Sequence, residues 1–403
     1  MATSTAVTKK QWIQSLRKDA WISVDSSPGL VNKVAAAVAG LAAKAQQEVK
    51  PTLTVIPGLQ AVNPVRLAPI QLLHALAKIT TPAIPNLAAF SSSWAERRYI
   101  WAFDPTRDVA APWLRLSQYS RKLDFHQKTL LSDDLGVAVA CYLTEKFFPV
   151  SDIANTTTAV ESKLLGAYKQ GRKWPDLVCT NSSGSTAYVV ECKGSGSDWT
   201  EVRRQLTNGV RQVTAVGFLP SVATERFVFA TQLRDADILV HAIDPPEDDG
   251  TVERLRNVRE DQVVLESAEI QNLSNARTLS YCGDYGSAFK LLPSGVLEQY
   301  PAVAAHHFEP ERLTIGKVKA VGRTDRWETP EGGQVTVFRG LDQLVHKALV
   351  ARDQHPTGEA MNSPQEDSLR EEAAYRLGDE TADGESFVTS IGRDGTILRI
   401  GMQ

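Results

Sequence analysis

The sequence contains only four cysteines among its 403 residues, and no two of them form a CxxC pair. Widely spaced single cysteines argue against both a disulfide framework and a zinc knuckle. Most of them lie within apolar runs, which predicts small buried side chains and a reducing, cytoplasmic environment. The four are Cys141, Cys179, Cys192 and Cys282.

An excess of positive charge is also absent, because the formal net charge is −3. A protein that coats nucleic acid without specificity is normally strongly basic, so any nucleic-acid contact must come from a local patch. Long hydrophobic runs are absent too. The apolar stretch Val34–Ala43 is too short to cross a bilayer, and Met1–Ser4 does not begin a secretory signal. We therefore expect a soluble cytoplasmic protein with no membrane partner.

The length is typical of two to three domains, and the patterns along the chain divide it into three segments. Residues 1–115 are predicted to be a helical N-terminal region. Residues 116–245 alternate between helical and β-rich patterns. Residues 246–403 are predicted to be a mostly β, α+β region, with an acidic mobile linker at about 353–385. The fold class expected for the whole chain is therefore mixed α/β.

The middle segment has a definite order of predicted elements. A helix capped by Ser132 comes first, then two short β-rich runs separated by a small polar loop, which is a hairpin signature. Another helix and two more strands follow. The predicted elements after Ser132 are Leu177–Cys179, Tyr188–Val190, Trp199–Val216, Arg226–Ala230 and Ile238–Ile243.

Three charged residues are placed by this hairpin. Side chains alternate between the faces of a strand, so Glu191 and Lys193 project from the same face. Asp176 stands at the start of the preceding strand, where a hairpin brings it beside Glu191. Two close carboxylates repel each other, and a divalent cation relieves that repulsion. Oxygen ligands of this charge favour Mg²⁺ or Mn²⁺ over zinc.

Such a cation would bind a phosphate oxygen and a water molecule together. Lys193 could then orient or deprotonate the water, or stabilise developing negative charge, and a nearby cation would lower its pKa. The alternative interpretation is a solvated ion pair between Glu191 and Lys193 on an exposed strand. That alternative predicts weak metal binding and no chemistry.

The residues Trp174–Val178 and Tyr188–Gly194, which contain Pro-Asp and Glu-Cys-Lys, resemble the PD-(D/E)XK superfamily of restriction-endonuclease-like phosphodiesterases. The resemblance spans about Ser132–Ile243, less than a third of the chain. It implies an αβββαβ core and a Mg²⁺-dependent endonuclease that acts most often on DNA. Restriction, anti-phage defence and repair are the roles the resemblance suggests.

The resemblance also implies two further kinds of site residue. An acidic residue from the first helix often joins the metal site, and Asp134 matches that position, with Glu161 as a competitor. Asp134 is equally well explained as a carboxylate at a helix N-terminus. A glutamine on the helix after the Lys strand is also common, and Gln212 is our candidate catalytic residue, with Gln205 as the alternative.

Basic residues flank the motif and are candidates for binding phosphates. An ordinary solvated surface explains each of them equally well. The candidates for nucleic-acid binding are Lys173, Arg203, Arg204 and Arg211, with Lys163, Lys169 and Arg172 nearby. Trp174 and Trp199 could stack on bases or pack against helices. Gly194–Ser197 lacks the Gly-Lys-Ser/Thr of a phosphate-binding loop and is predicted to be a flexible loop after the strand.

Two other functions stay open at this stage. The chain could be a nucleic-acid-binding or scaffold protein on an inactive nuclease fold, although the intact Asp, Glu and Lys argue against it. It could also be an effector that becomes active only with a regulatory partner protein. A homodimer is expected if one site per chain cuts both strands of a duplex.

Overall fold

A computed structural model describes residues 8–44, 53–60, 63–91, 93–105, 112–163, 173–196, 198–213, 215–219, 221–245, 263–292, 309–329, 332–352 and 386–402. These residues form thirteen helices and fourteen strands of a mixed α/β fold. The predicted linker at about 353–385 lies outside the described residues. No helix in these ranges combines the length and the apolar character needed to cross a membrane.

Ten of the described helices lie between residues 9 and 212. They are α1 (Lys9–Arg17), α2 (Pro28–Lys44), α3 (Pro57–Gln60), α4 (Pro69–Thr80), α5 (Pro85–Phe90), α6 (Trp94–Tyr99), α7 (Gln118–Arg121), α8 (Phe125–Phe147), α9 (Thr156–Lys163) and α10 (Trp199–Gln212). The helices of the second half are α11 (Ser267–Cys282), α12 (Tyr285–Lys290) and α13 (Gln343–Arg352).

One sheet has seven strands in the order β2-β1-β8-β7-β5-β4-β3 among the described residues. Strands β5 and β7 are parallel, as are β1 and β8, and the other neighbouring pairs are antiparallel. Its strands are β1 (Ala20–Asp25), β2 (Val65–Leu67), β3 (Asp152–Asn155), β4 (Leu177–Thr180), β5 (Thr186–Ser195), β7 (Ala223–Leu233) and β8 (Ile238–Ile243).

A second, antiparallel sheet has the order β10-β11-β12-β14-β13, and β6 pairs with β9 separately. The remaining strands are β6 (Val216–Phe218), β9 (Val263–Leu265), β10 (Glu311–Ile315), β11 (Val318–Glu328), β12 (Gln334–Asp342), β13 (Ser386–Ile391) and β14 (Thr396–Met402). The mostly β character predicted for this segment agrees with the five-stranded sheet, although three helices accompany it.

Alternating side chains along β5 bury both faces of the seven-stranded sheet. Val190 faces a core that includes Leu76 of α4 and Leu135 of α8. Val189 faces the opposite core with Val34 of α2 and Val202 of α10. The sheet is therefore a middle layer between two layers of helices, an arrangement that suits a strand apolar on both faces.

Two expectations about the helices need correction. The helix before the motif begins at Phe125, with the Asp124 carboxylate as its N-cap, and Ser132 lies in its interior. The Ser132 hydroxyl donates to the carbonyl of Thr129, so it satisfies itself within the helix instead of capping it. The predicted helical N-terminal region also contains β1 and β2, which extend the seven-stranded sheet. The predicted domain boundaries stay a prediction.

A buried cation joins three elements from distant parts of the chain. The Lys78 side chain on α4 is 4% exposed, and its Nζ lies 2.8 Å from Oδ2 of Asp394 and also contacts Oε1 of Glu145 on α8. Asp394 stands in the turn between β13 and β14. Its pKa is lowered because the attraction of the Lys78 ammonium outweighs the opposing effect of burial.

We expect Lys78→Met to lower the free energy of unfolding by about 3–5 kcal/mol, because it leaves two carboxylates without their buried counter-ion. Urea denaturation followed by circular dichroism measures this. Arg66→Met is the matched control, since Arg66 is 71% exposed in its ion pair with Asp19 and should change stability by less than about 1 kcal/mol. Equal effects of the two substitutions would contradict the structural role of Lys78.

Candidate active site

The hairpin of β4 and β5 places the three motif residues together. The two strands pair in an antiparallel register with Leu177 opposite Val190, as the sequence predicted. Asp176 immediately precedes β4 and therefore stands opposite Glu191. The carboxylate Oδ2 of Asp176 accepts a hydrogen bond of 2.7 Å from the backbone N–H of Cys192. This bond holds the aspartate against the strand that carries Glu191 and Lys193.

The Lys193 ammonium lies between the two carboxylates. Its Nζ forms an ion pair with Oε1 of Glu191 and lies 3.9 Å from Oδ2 of Asp176. Glu191 has no solvent-exposed surface, whereas 24% of the Lys193 side chain is exposed. The alternative of a solvated surface ion pair is therefore wrong, because one of its two charges lies wholly inside the protein.

Burial and the neighbouring charges shift the pKa of all three groups. The pKa of Glu191 is raised, mainly by desolvation and then by the charge of Asp176, while Lys193 opposes the shift. The pKa of Asp176 is also raised by burial, again against the pull of Lys193. Burial would lower the pKa of Lys193, but the two carboxylates outweigh it and raise the pKa. A base role for Lys193 therefore depends on a cation that offsets these carboxylates.

Two glycines allow helix α8 to touch the end of strand β5. A Cβ atom on Gly194 would lie 1.6 Å from the carbonyl oxygen of Ser132, and one on Gly136 would lie 2.9 Å from the carbonyl oxygen of Lys193. The helix backbone thus packs directly on the residue after Lys193. The predicted flexible loop is wrong at its start, because Gly194 and Ser195 continue β5 and pair with β7.

A third glycine lets helix α10 approach from the other face. A Cβ on Gly209 would lie 2.5 Å from Cγ1 of Val228 and 3.2 Å from Cγ of Glu191. Helix α10 therefore packs directly on the Glu191 side chain. Gly209 therefore contributes to the burial that raises the pKa of Glu191.

Helix α8 carries two adjacent acidic residues, Asp133 and the predicted Asp134. The Tyr99 hydroxyl donates a hydrogen bond to Oδ2 of Asp134, which directs that carboxylate toward α6. The charges of Lys193 and Asp176 act on the pKa of Asp133, which burial raises. Asp133 is therefore a second candidate on this helix, and the metal-binding role of Asp134 stays a prediction. The sequence did not distinguish the two, because an acidic pair within a helix does not reveal which member lies nearer a neighbouring strand.

Glu161, the competing candidate, lies on α9. Burial raises its pKa. Its place in the metal site stays a prediction.

The two candidate glutamines both bond to backbone carbonyl groups near the motif. The side-chain N–H of Gln205 donates to the carbonyl of Gly194 at 3.3 Å, and that of Gln212 donates to the carbonyl of Trp174 at 3.3 Å. Gln205 thus contacts Gly194, the residue after Lys193. Gln212 contacts Trp174, two residues before Asp176. The catalytic role predicted for Gln212 stays a prediction, and the structure gives both residues a positioning contact.

The predicted phosphate-binding residues occupy different environments. Lys173, Arg203 and Arg211 are exposed. Arg204 is also exposed, but it forms a two-pronged ion pair with Glu201 at 2.7 and 2.5 Å. Lys169 and Arg172 lie outside the described residues, as does the side chain of Lys163. All four described basic side chains therefore lie at the surface.

The two tryptophans beside the motif pack against other parts of the protein. Trp174 is 8% exposed. Trp199 is partly buried, with its ring 5.1 Å from that of His241 and the Lys33 ammonium 5.5 Å from its ring centre. These contacts support the packing interpretation, and base stacking on Trp199 stays a prediction.

The described residues contain no group of three or more His, Cys, Asp or Glu side chains arranged to hold a metal ion. The carboxylates available at this site are therefore the pair Asp176 and Glu191, with Asp133 nearby. Comparison of the chain with protein-family models, with curated proteins and with solved structures gave no match.

We expect Gly209→Ala to lower the free energy of unfolding by about 1–3 kcal/mol, because the new methyl group overpacks Val228 and Glu191. Gly40→Ala is the matched control, since it is also a helical glycine but has no atom within 4 Å of the position of a Cβ. That change should stabilise the protein by up to about 1 kcal/mol. Chemical denaturation compares the two variants, and stabilisation by both would disprove the tight contact at Gly209.

Proposed function

We propose that the chain is a divalent-metal-dependent nuclease that hydrolyses phosphodiester bonds in DNA, with its active site at Asp176, Glu191 and Lys193. The observation that carries the proposal is the wholly buried Glu191 carboxylate beside Lys193 and Asp176 at the end of a strand. Burying such charges is costly for stability. Groups with strongly shifted pKa values that converge at one place are typical of catalytic sites.

The order of elements around the site supports the proposal. Helix α8, strands β3, β4 and β5, helix α10 and strand β7 occur in that order, with α9 inserted between β3 and β4 and β6 between α10 and β7, and β5 lies parallel to β7. This is the order expected for a restriction-endonuclease-like αβββαβ core, with β6 as a short addition. The assignment to that core is part of the proposal.

The residues suited to a divalent cation are Asp176 and Glu191. Mg²⁺ and Mn²⁺ are often held by one or two carboxylates, with water and substrate phosphate completing the coordination. Oε1 of Glu191 pairs with the Lys193 ammonium, so a bound cation would share or replace that contact. When bound, a cation would supply Lewis-acid stabilisation of a phosphate oxygen and lower the pKa of a water molecule.

The residues of the chain have separate tasks in this proposal. Lys193 reaches partly into solvent, so its ammonium can hold a water molecule or the negative charge that develops on the phosphate. The Cys192 N–H fixes the orientation of Asp176. The contacts of Gly194 and Gly209 with neighbouring elements keep Glu191 dry. The exposed basic residues Lys173, Arg203 and Arg211 are the proposed phosphate contacts outside the reacting group.

We expect purified protein to cleave DNA with Mg²⁺ or Mn²⁺ and to lose activity in EDTA. Glu191→Gln, Asp176→Asn and Lys193→Ala should each lower the cleavage rate by about 10²–10⁴-fold, because each removes a charge from the reacting centre. Rates on labelled single- and double-stranded DNA and RNA measure this and identify the substrate.

Glu201→Gln is the control, because it removes a carboxylate that lies on α10 and pairs with exposed Arg204, and it should leave the rate nearly unchanged. Mg²⁺ should also raise the melting temperature of the unaltered protein, but not that of Glu191→Gln. Full activity in the Glu191→Gln and Lys193→Ala proteins would refute the assignment. So would undiminished cleavage in EDTA.

Asp133 and Asp134 should differ in their effects. We expect Asp133→Asn to lower the cleavage rate by about tenfold with little change in stability, since Asp133 is exposed and its charge acts on Lys193. Asp134→Asn should instead lower the free energy of unfolding by about 1 kcal/mol, because it weakens a hydrogen bond to a charged group. Paired rate and denaturation measurements test this, and the reverse pattern would restore Asp134 as the site residue.

A further inference from the structure

A cleft of about 670 Å³ lies between helix α6 and the segment from Tyr119 to Leu131. Its volume is typical of small-molecule sites. The side chains that matter for the argument are Trp94, Arg97, Arg98, Tyr99, Tyr119 and Leu131. None of them belongs to the motif around Glu191, and the sequence alone suggested no chemistry for the N-terminal region.

The walls of the cleft carry aromatic rings that face solvent. Trp94 is 39% exposed and Tyr119 is 55% exposed. Each is supported from behind, because the Trp94 ring packs edge-on against Tyr99 at 6.0 Å and Tyr119 lies 6.2 Å from the ring of buried Trp12. Exposed rings held by a rigid layer are suited to stacking on a flat ligand.

Two arginines stand beside these rings. Arg97 and Arg98 are exposed, and neither forms a salt bridge with an acidic residue in the described part of the chain. The Arg98 guanidinium lies 5.2 Å from the Trp94 ring centre, and that of Arg97 lies 5.0 Å from the ring of Trp327 on β11. Stacked guanidinium groups keep their edges free, and those edges match the oxygens of a phosphate.

The cleft is connected to the candidate active site through α8. Tyr99 lines the cleft and donates to Asp134, the neighbour of Asp133. Leu131 also lines it and immediately precedes Ser132, whose carbonyl packs on Gly194 next to Lys193. A ligand in the cleft would therefore contact Tyr99 and Leu131, which lie next to the part of α8 beside the site.

We propose that this cleft binds a nucleoside phosphate, with the base stacked on Trp94 and Tyr119 and the phosphate held by Arg97 and Arg98. The nucleotide could be free or part of a single strand. If the bound nucleotide is an unpaired nucleotide of the DNA substrate, this inference rests on the proposed nuclease function. If the cleft binds a free nucleotide, the inference is independent of that function.

The test is fluorescence anisotropy with a labelled single-stranded oligonucleotide of about 12 nucleotides, in EDTA so that no cleavage occurs. We expect Arg97→Ala/Arg98→Ala to weaken binding about tenfold and to lower the salt slope by about 1.4, since each neutralised phosphate contributes about 0.7. Trp94→Leu should weaken binding by roughly 5- to 100-fold. An abasic strand of equal length should bind the unaltered protein more weakly and should not respond to Trp94→Leu.

Arg312→Ala/Lys319→Ala is the matched control, because it removes two exposed charges from the second sheet and should leave affinity unchanged. Competition by deoxyadenosine monophosphate separates the two sources of the ligand. If the mononucleotide displaces the strand and binds as tightly, the cleft takes free nucleotide. If it competes only weakly, the cleft takes a nucleotide within a strand.

Unchanged binding in both cleft variants would overturn the inference, as would equal affinity for the abasic strand. The outcome is independent of the cleavage assay. Cleft-dependent binding without any cleavage would support the nucleotide site and contradict the nuclease. Cleavage that depends on Glu191, together with unaffected binding in the cleft variants, would support the nuclease and contradict the cleft.

Discussion

The burial of the Glu191 carboxylate is the constraint on which the rest of the site depends. An isolated charge in the interior is strongly disfavoured, so it persists only with a counter-ion at close range. Lys193 supplies that charge from the same face of the same strand. Asp176, held by the Cys192 N–H, adds a second carboxylate that one ammonium does not neutralise fully. The unbalanced negative charge is what suits this place to a cation.

Keeping the carboxylate dry requires helices on both faces of the sheet to approach closely. Gly209 permits α10 to lie against Glu191 and Val228, while Gly136 and Gly194 permit α8 to lie against the end of β5. Each contact is possible because a glycine has no side chain. The same contacts hold the reacting groups on rigid elements, which suits a site whose geometry must be maintained.

The segments before and after the motif take part in this architecture. Strands β1 and β2 complete the seven-stranded sheet, and Tyr99 of α6 directs Asp134 away from the cluster. Lys78 links α4, α8 and the turn before β14 through one buried charge network. Helix α8, which carries Asp133, is thus positioned by residues that are far apart in the sequence. The packing of these helices also forms the cleft beside Tyr99.

The sequence by itself determined the hairpin and the shared face of Glu191 and Lys193, because alternation along a strand is a local property of the backbone. It also determined the buried state of all four cysteines, which lie in or beside apolar runs. Only the tertiary structure decided that the charges of Lys193 and Asp176 act on Asp133, that Gly194 belongs to a strand, and that Tyr119 and Leu131 join Trp94 of α6 in one cleft. These features depend on how helices from distant parts of the chain pack on the sheet, and no local pattern of residues encodes that packing.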